Sequence, residues 1–260
     1  MKQSDYVSEC VGGIEVHIFG WDKPKPAKPL LFYTHGRTGA IHEQFDRCRE
    51  LADLGLVVVG LDQRNHGRRL INQRLNRDWS PDIPAAMYAI MLGTAMDISL
   101  LIDLLPAQLH LPTDRAGVMG SSLGGHVTLL AMAMDKRLAV GGAMVPGGDY
   151  RQLMKLRLAA KDTPAERFDE FYPPELDAAV RKFDPIHNAA AYADRPLLMT
   201  CGQQDNIVPC QCATSFYDAA RPHYTKHSKI RISIYVEAGH NTPPEAWTEQ
   251  TDWLKKWLIS

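Results

Sequence analysis

The sequence predicts an α/β protein in which helices cover both faces of a mostly parallel sheet. Continuous apolar runs of strand length recur along the chain, such as LLFYT at 30–34 and LVVVGLD at 56–62. Fully apolar strands usually belong to a sheet that is buried on both faces. Segments with helical spacing of apolar residues alternate with these strands. This alternation is typical of parallel sheets, because parallel strands need crossover connections.

The predicted elements begin with a hairpin over residues 6–19 that turns at Gly12-Gly13. After strand 30–34, a helix ends at Gly55, a residue type that commonly terminates helices. The later predicted elements are, in chain order, strand 56–62, helix 85–105, strand 116–119, a helix from 123 to 134, strands 140–145, 196–202 and 230–236 with a helix between the last two, and a C-terminal helix with buried positions at Trp247, Leu254 and Leu258.

Residues 147–190 interrupt this alternation with helical and proline-punctuated pieces that are rich in charge. We expect them to form a small, cap-like insertion in a single α/β domain that spans residues 1–260. A length of 260 residues is long for one domain, but sheets with helices on both faces commonly reach that size. Such a chain can bury a large apolar core without help from disulfides or metals.

Composition and charge argue against several classes of partner. The formal net charge is −1, so neither nucleic acid nor an anionic membrane is an expected partner. The N-terminus lacks the apolar segment of a signal peptide. The five cysteines are scattered, and Cys210-x-Cys212 lacks the spacing of a zinc site. We therefore expect a cytoplasmic protein with reduced thiols and no bound metal.

The least polar stretch, residues 85–105, is long enough to span a bilayer. It carries Asp97 and Asp103, however, and its strongest apolar residues fall on one helical face. A helix whose apolar face is buried against the sheet is therefore the favoured interpretation.

Polar clusters follow five of the predicted strands. Ligands bind beyond the carboxyl ends of the strands in such sheets, so a functional site is expected there. The clusters are HGRTG after residue 34, DQRNHGRR after residue 61, GSSLGG after residue 119, GQQDNIVP after residue 201 and AGHN after strand 230–236. A serine, an acid and a histidine thus lie on separate strand ends of one sheet.

Ser122 is the predicted nucleophile. Gly120, Ser122 and Gly124 fit the pattern G-x-S-x-G, which requires a strand before it and a helix after it, and both are predicted here. The turn is so sharp that the backbone of the nucleophile is strained and its neighbours must lack side chains. Ser121 does not fit the pattern, because Met119 stands two positions before it.

Asp205 and His240 are the predicted partners of Ser122. A serine hydroxyl needs an adjacent base, which in turn needs an orienting acid. In this arrangement the chain order is serine, acid, histidine, and Asp205 and His240 each follow a predicted strand in that order. Taken alone, Asp205 could cap the next helix and His240 could be an ordinary loop residue. The order of the three residues favours the triad.

Other acids and histidines remain alternatives. Asp149 is the best alternative acid, and Glu237 and Asp184 are weaker ones. His126 lies one turn into the helix that follows the nucleophile, so we expect it to pack against the sheet. His187 belongs to FDPIHN, where a structural turn is expected.

The transition state of acyl transfer also needs backbone donors for its developing oxyanion. The N–H of Leu123, the residue after the nucleophile, is expected to be one of them. HGRTG supplies the second, with Arg37 preferred over Thr38. His35 is interpreted as a structural turn residue.

These motifs together resemble the α/β-hydrolase superfamily, and they occur in its order over nearly the whole chain. The stretch FDPIHNAAAYADRPLLMTCGQQDNIVP is similar to dienelactone-hydrolase-like and prolyl-oligopeptidase-like serine esterases. The resemblance implies Ser122 as nucleophile, Asp205 as acid and His240 as base, with the N–H groups of Arg37 and Leu123 as the oxyanion hole. It implies two-step acyl transfer that needs no metal or organic cofactor.

The sequence departs from both relatives in one respect each. Dienelactone hydrolases proper use a cysteine nucleophile where this chain has Ser122, so their lactone chemistry does not carry over. Prolyl oligopeptidases carry a large N-terminal propeller that this sequence does not contain. That difference weakens the expectation of peptidase activity.

The substrate pocket is expected between the 147–190 insertion and the arginine-rich loop 63–84. One hypothesis is that one or two arginines on this side of the sheet bind an acidic group of the substrate, and the candidates are Arg37, Arg64, Arg68, Arg69, Arg74 and Arg77. A structural role for these arginines is favoured. Trp79 and Tyr150 could supply aromatic walls, with a place in the core of the insertion as the alternative.

The predicted function is hydrolysis of carboxylic esters or thioesters of small substrates. Cleavage of short-peptide amides and acyl transfer to an alcohol or amine stay open on the same triad. A non-catalytic binding protein is disfavoured, because a decayed site should have lost a member of the triad. The expected partner is a small-molecule ester, with no nucleic acid and no membrane, and a homo-oligomer stays an open alternative.

Overall fold

The computed structural model describes residues 5–21, 28–77, 80–109 and 115–260. Strands and helices alternate through these residues in the predicted order. The strands are β1 (Tyr6–Val11), β2 (Ile14–Phe19), β3 (Leu30–Thr34), β4 (Val57–Leu61), β5 (Ala116–Ser121), β6 (Leu138–Met144), β7 (Leu197–Gly202) and β8 (Ile230–Tyr235). The α-helices are α1 (Phe45–Asp53), α2 (Arg74–Arg77), α3 (Ile83–Leu109), α4 (Leu123–Met134), α5 (Tyr150–Ala159), α6 (Phe168–Phe171), α7 (Pro174–Val180), α8 (Gln211–Ala220) and α9 (Pro244–Leu254).

These eight strands form one sheet in the order β1-β2-β4-β3-β5-β6-β7-β8. Neighbouring strands run parallel from β4 through to β8, whereas β1 and β2 pair antiparallel with each other and β2 pairs antiparallel with β4. The chain passes from β3 to β4 on one side of β3 and then returns to place β5 on the other side. The carboxyl ends of β3 and β5 therefore flank a topological switch point, where open α/β sheets bind their ligands.

Helices cover both faces of this sheet, as the apolar strands predict. Every residue of β3, β4 and β7 is buried. Successive side chains of a strand point to opposite faces. In β3, Phe32 accordingly packs in the core that contains α3 and α4, and Tyr33 packs in the core that contains α1 and α9.

Helix α3 (Ile83–Leu109) extends the predicted helix 85–105 by two residues at its N-terminal end and by four residues, about one turn, at its C-terminal end. By length and composition it could span a membrane, but 61% of its most apolar stretch is buried inside the protein. Met91, Ala95 and Ile98 belong to the core beneath the sheet. The structure thus agrees with the interpretation of this segment as a core helix.

The segment expected to form an insertion holds α5, α6 and α7. Its first helix buries Tyr150, Leu153 and Met154 on one face. The backbone N–H of Tyr150 donates to Asp184 Oδ2 at 3.0 Å, which ties the start of the segment to its end. The hydroxyl of Tyr88 in α3 donates to the carbonyl of Val180 at 3.1 Å. The insertion is therefore anchored on the N-terminal half of α3, near the switch point.

Candidate active site

Ser122 lies in the turn between β5 and α4, at the carboxyl edge of the sheet. Its backbone has φ 56° and ψ −115°, a region that residues other than glycine rarely adopt. Two backbone hydrogen bonds hold this conformation. The N–H of Ser122 donates to the carbonyl of Met144 at 2.9 Å, and the N–H of His126 donates to the carbonyl of Ser122 at 3.0 Å. The strain expected from the sequence pattern is therefore present and fixed by neighbouring backbone.

The glycines around Ser122 are required by close backbone contacts. A Cβ at Gly124 would lie 2.4 Å from the carbonyl oxygen of Thr34, and a Cβ at Gly120 would lie 2.7 Å from the carbonyl oxygen of Gly124. A Cβ at Gly125 would lie 2.4 Å from the carbonyl oxygen of Met144. Real Cβ atoms do not approach other atoms this closely, so each position admits glycine alone without a backbone shift.

Ser122, His240 and Asp205 form one chain of hydrogen bonds. His240 Nε2 lies 3.0 Å from Ser122 Oγ, and His240 Nδ1 lies 2.8 Å from Asp205 Oδ2. With the proton on Nδ1, the ring donates to the carboxylate and accepts from the serine hydroxyl. The three residues follow β5, β7 and β8, so the parallel sheet brings together groups that are far apart in the chain. This is the geometry that a serine nucleophile and its general base require.

Asp205 is held by backbone donors on the side opposite His240. Its Oδ1 accepts the N–H groups of Ile207 at 2.8 Å and Val208 at 2.9 Å. The carboxylate is completely buried, whereas the side chain of His240 is 24% exposed. The alternative role of Asp205 as the cap of the next helix is not seen, because α8 begins only at Gln211.

The competing acids have other partners. Asp149 caps α5 and accepts the N–H of Gln152 at 2.9 Å. Asp184 accepts the N–H of Tyr150, as described above, and Glu237 accepts a hydrogen bond from Gln204 at 3.4 Å. His240 contacts Asp205 instead.

The other histidines near the site have structural roles. His126 is buried, and its Nδ1 accepts the N–H of Gly147, which fixes the turn between β6 and α5. Burial lowers the pKa of His126 to about 3, so its ring is neutral near pH 7. His35 is also buried, and its Nε2 accepts the N–H of Gln63 at 3.2 Å. His187 lies in a short helical turn, as expected.

The predicted oxyanion donors lie next to the nucleophile. Gly36, Arg37 and Leu123 line the same cavity as Ser122. A Cβ at Gly36 would be 3.7 Å from the Cβ of Ser122, so the HGRTG loop runs directly beside the serine. Leu123 is the first residue of α4, where backbone N–H groups have no acceptor within the helix and the helix dipole favours negative charge. The assignment of the two N–H groups to an oxyanion hole stays a prediction that this placement supports.

A cavity of about 490 Å³ opens beside Ser122, a size that suits a small organic molecule. Its walls come from the HGRTG loop, the start of α3, helix α5 and the loop that follows β7. Most of the lining surface is apolar, and it comes from Pro84, Met87, Met91, Leu123, Leu153, Met154, Ile207 and Val208. The insertion contributes the α5 wall, as predicted, whereas the 63–84 loop contributes only Pro84 among its described residues.

Of the three predicted substrate-binding residues, the structure places one at the cavity and one away from it, and it does not describe the third. Tyr150 lines the cavity, but it is only 3% exposed and its hydroxyl donates to the carbonyl of Pro84 at 2.6 Å. The structure does not bring Arg68 to the cavity. Its side chain pairs with Glu15 on the edge hairpin, because the Asp62 carboxylate accepts the N–H of Arg68 and fixes the turn in that direction. Trp79 lies outside the described residues.

Sequence reasoning missed Arg157, which lines the cavity from α5. A charged residue in a charge-rich insertion looks like part of a solvated surface. The available signal was periodicity, because Tyr150, Leu153, Met154 and Arg157 follow the helical spacing of one face. Met87 and Met91 of α3 belong both to the core and to the cavity wall.

Comparisons with known proteins agree with this fold. A sequence model of the Prolyl oligopeptidase family matches residues 91–260. The chain is 23% identical over 257 residues to "Putative esterase YitV" of Bacillus subtilis, covering 96% of this chain and 98% of that protein. It is 26% identical over 194 residues to "Esterase YjfP" of Escherichia coli, covering 72% of each chain.

Solved structures support the same fold. The structure of TT1662 from Thermus thermophilus superimposes with a TM-score of 0.76 at 22% identity, covering 98% of this chain and 99% of that one. A second structure, named "Putative Dienelactone Hydrolase from Klebsiella pneumoniae", superimposes with a TM-score of 0.67 at 16% identity. The match covers 97% of this chain and 96% of that one. The match over residues 91–260 takes in the whole of the candidate triad and four of the eight strands, β5 to β8. This chain belongs to the prolyl oligopeptidase family of serine hydrolases, within the α/β-hydrolase superfamily.

Proposed function

We propose that this chain is a carboxylesterase that cleaves esters of small substrates through an acyl-enzyme on Ser122. The single observation that carries the proposal is the hydrogen-bonded chain from Ser122 through His240 to Asp205, located at a cavity. Two relatives that match along most of this chain are named esterases, which favours ester over amide substrates.

In the first step, Ser122 Oγ attacks the ester carbonyl while His240 Nε2 takes the hydroxyl proton. The buried Asp205 carboxylate stabilises the imidazolium that forms and keeps the ring oriented. The N–H groups of Arg37 and Leu123 donate to the oxyanion of the tetrahedral intermediate. His240 then returns the proton to the alcohol oxygen as the carbon–oxygen bond breaks. This leaves the acyl group on Ser122.

In the second step, water attacks the acyl-enzyme by the same route. His240 removes a proton from the water and delivers it to Ser122 Oγ when the acid leaves. The strained turn contributes to both steps, because φ 56° at Ser122 projects Oγ away from the strand and toward the cavity. The side chain of His240 is partly exposed, so water can reach the position it must occupy.

The proposal is tested with p-nitrophenyl esters of increasing acyl length, alongside p-nitroanilides with the same acyl groups. We expect turnover of short and medium esters and little cleavage of the anilides. Ser122→Ala should lower kcat by at least about 10³-fold, because the acyl-enzyme can no longer form. Ser121→Ala is the matched control, since it removes the adjacent hydroxyl and should keep most of the activity. Full activity of Ser122→Ala would contradict the proposal, and faster cleavage of anilides than of esters would make the enzyme an amidase.

A further inference from the structure

The peptide group between Gly36 and Arg37 carries the N–H that is the predicted second donor of the oxyanion hole. This N–H has no acceptor among the described residues, whereas the carbonyl oxygen of the same peptide has two donors. His35 Nδ1 lies 2.7 Å from the Gly36 carbonyl oxygen, and the N–H of Gly39 donates to that oxygen at 3.3 Å. The loop therefore holds this peptide by its carbonyl.

Peptide geometry converts a fixed carbonyl into a fixed N–H. The peptide group is planar, and in its trans form the N–H points away from the C=O. No cis peptide bond occurs among the described residues. The Gly36 carbonyl faces the His35 ring, so the N–H of Arg37 points to the opposite side of the peptide. Gly36 and Arg37 both line the cavity that contains Ser122, so the orientation of their peptide sets where this N–H points relative to the nucleophile.

A backbone donor determines which nitrogen of His35 carries the proton. The N–H of Gln63 donates to His35 Nε2 at 3.2 Å, so this nitrogen is an acceptor and the neutral ring carries its proton on Nδ1. Asp62 Oδ1 lies 3.4 Å from the same Nε2, and a second proton on the ring would face this carboxylate. In both states Nδ1 keeps its proton and donates to the Gly36 carbonyl. Only a ring protonated on Nε2 alone lacks this donor, and its hydrogen would then oppose the N–H of Gln63.

The His35 side chain is itself held firmly. It is completely buried, and the buried side-chain amide of Gln63 donates to the carbonyl of His35. At the other end of the loop, the N–H of Ile41 donates to Asp62 Oδ1 at 2.7 Å. The two residues that follow β4 therefore hold both ends of the HGRTG loop. Between those ends, the His35 ring fixes the peptide that carries the predicted oxyanion donor.

We propose that His35 is a positioning residue for the oxyanion hole, and that its imidazole holds the Gly36–Arg37 peptide with the N–H toward the oxyanion that forms at Ser122. The inference rests on the proposed esterase function and deepens it, because the oxyanion arises only when Ser122 attacks an ester. His35 is not among the described residues that line the cavity, so it acts through the Gly36 carbonyl. Since the oxyanion is absent from the bound ester, His35 contributes to kcat and not to substrate binding.

Two amide variants separate the roles of the two ring nitrogens. His35→Asn carries its amide N–H close to the position of Nδ1, so it keeps a donor for the Gly36 carbonyl. His35→Gln carries its amide at the position of Nε2 and loses that donor. We expect His35→Gln to lower kcat for p-nitrophenyl butyrate by about 10- to 100-fold with little change in KM. This is less than the loss of a whole oxyanion donor, because the N–H of Gly39 still holds the carbonyl. His35→Asn should keep most of the wild-type kcat.

His17→Gln is the matched control for the loss of a buried histidine. His17 is hydrogen-bonded to Ser8 on the edge hairpin and is not among the described residues that line the cavity. Its replacement should leave kcat unchanged, whatever its effect on Tm. All variants are assayed at a temperature at which calorimetry shows them folded. A wild-type kcat in His35→Gln, or equal losses of kcat in His35→Asn and His35→Gln, would contradict the inference.

An inhibitor that forms an oxyanion separates positioning from a purely structural role. Ser122 Oγ adds to the carbonyl carbon of 1,1,1-trifluoro-2-hexanone, which leaves an oxyanion on the former carbonyl oxygen. The Ki of this ketone should therefore rise in His35→Gln by about the factor by which kcat/KM falls. An unchanged Ki would overturn the inference while the proposed esterase stands. A wild-type protein that neither hydrolyses the ester nor binds the ketone would overturn both.

The tautomer of His35 is measured in the wild-type protein, so this test needs no variant that folds. Nitrogen-15 NMR of protein with labelled histidine distinguishes a protonated ring nitrogen from an unprotonated one. We expect His35 Nδ1 to be protonated near pH 7. A His35 ring protonated only on Nε2 would overturn the inference, because it could not donate to the Gly36 carbonyl.

Discussion

Gly124→Ala tests whether the strained turn at Ser122 depends on the close approach of strand and helix. The added Cβ would lie 2.4 Å from the carbonyl oxygen of Thr34, at least 0.6 Å inside the shortest separation of 3.0 Å that real Cβ atoms reach. It would also lie 2.8 Å from the carbonyl oxygen of His35. Both oxygens belong to backbone at the end of the central strand β3, so they cannot turn aside as a flexible side chain can.

The expected cost follows from this overlap. Overpacking a core by one methyl group typically costs about 1–3 kcal/mol, and a collision with two fixed carbonyls belongs at the upper end, about 3 kcal/mol. In a domain of this size each kcal/mol lowers Tm by about 2–4 °C, so we expect Tm to fall by about 6–12 °C. Because helix α4 must shift, Ser122 Oγ moves relative to His240, and kcat should fall by about 100-fold.

Tm is measured by differential scanning calorimetry, and kcat with p-nitrophenyl butyrate at a temperature where both proteins are folded. Gly239→Ala is the matched control. It also adds a methyl group beside a triad residue, but its nearest neighbour is the carbonyl oxygen of Gln204 at 3.9 Å, so its Tm and kcat should change little. Gly124→Ala with unchanged Tm and unchanged kcat would refute the claim that glycine is required by contact with β3.

Three further changes have expected outcomes. Asp205→Asn should lower kcat by about 10³–10⁴-fold at nearly constant Tm, because an amide no longer holds the ring of His240 as a carboxylate does. Steady-state kinetics and calorimetry measure the two quantities, and a loss of kcat below tenfold would contradict the role of the acid. The pKa of His126 is 6.5 in the unfolded chain and about 3 in the folded protein, so protonation favours the unfolded chain and the free energy of unfolding falls as pH drops below 6.5. In urea unfolding between pH 7 and 4, His126→Asn should show a smaller decrease in the free energy of unfolding than the wild type. Equal decreases in the two proteins would contradict this. Asp97 accepts hydrogen bonds from Arg64 and Arg69. Asp97→Asn should therefore lower the free energy of unfolding, measured in urea, by about 1–3 kcal/mol without changing KM. An unchanged free energy of unfolding would show that this network is dispensable.

The fold could be predicted from the sequence because its signals are local. The runs at β3 and β4 are fully apolar, and each is buried on both sides in the sheet. Gly12-Gly13 marks the hairpin turn, where both residues have positive φ. Element ends were less accurate, as in α3, which begins just before Pro84 and continues past Pro106, a residue type that normally ends or kinks a helix. The order of the strands was not derivable in detail, since it depends on contacts between segments that are distant in the chain.

The grouping of Ser122, Asp205 and His240 could be predicted because strand ends, chain order and the G-x-S-x-G pattern point to the same three residues, which the structure joins by hydrogen bonds. The cavity could not be predicted to the same extent. Arg157 and Arg68 have the same chemistry in the sequence, and only the packing of α5 and of the edge hairpin shows that one faces the cavity and the other pairs with Glu15. Which side chains face the cavity depends on this tertiary packing, and the periodicity of the sequence alone does not determine it.

The most direct test of the central claim is to locate a covalent adduct. The protein is incubated with a fluorophosphonate, digested, and the peptide that contains Ser121 and Ser122 is sequenced by tandem mass spectrometry. We predict a single phosphonyl group on Ser122 in the wild type, and slow or no modification in His240→Ala because the base that activates the hydroxyl is gone. An adduct on Ser121, or equally fast labelling of His240→Ala, would contradict the assignment of Ser122 as a nucleophile activated by His240.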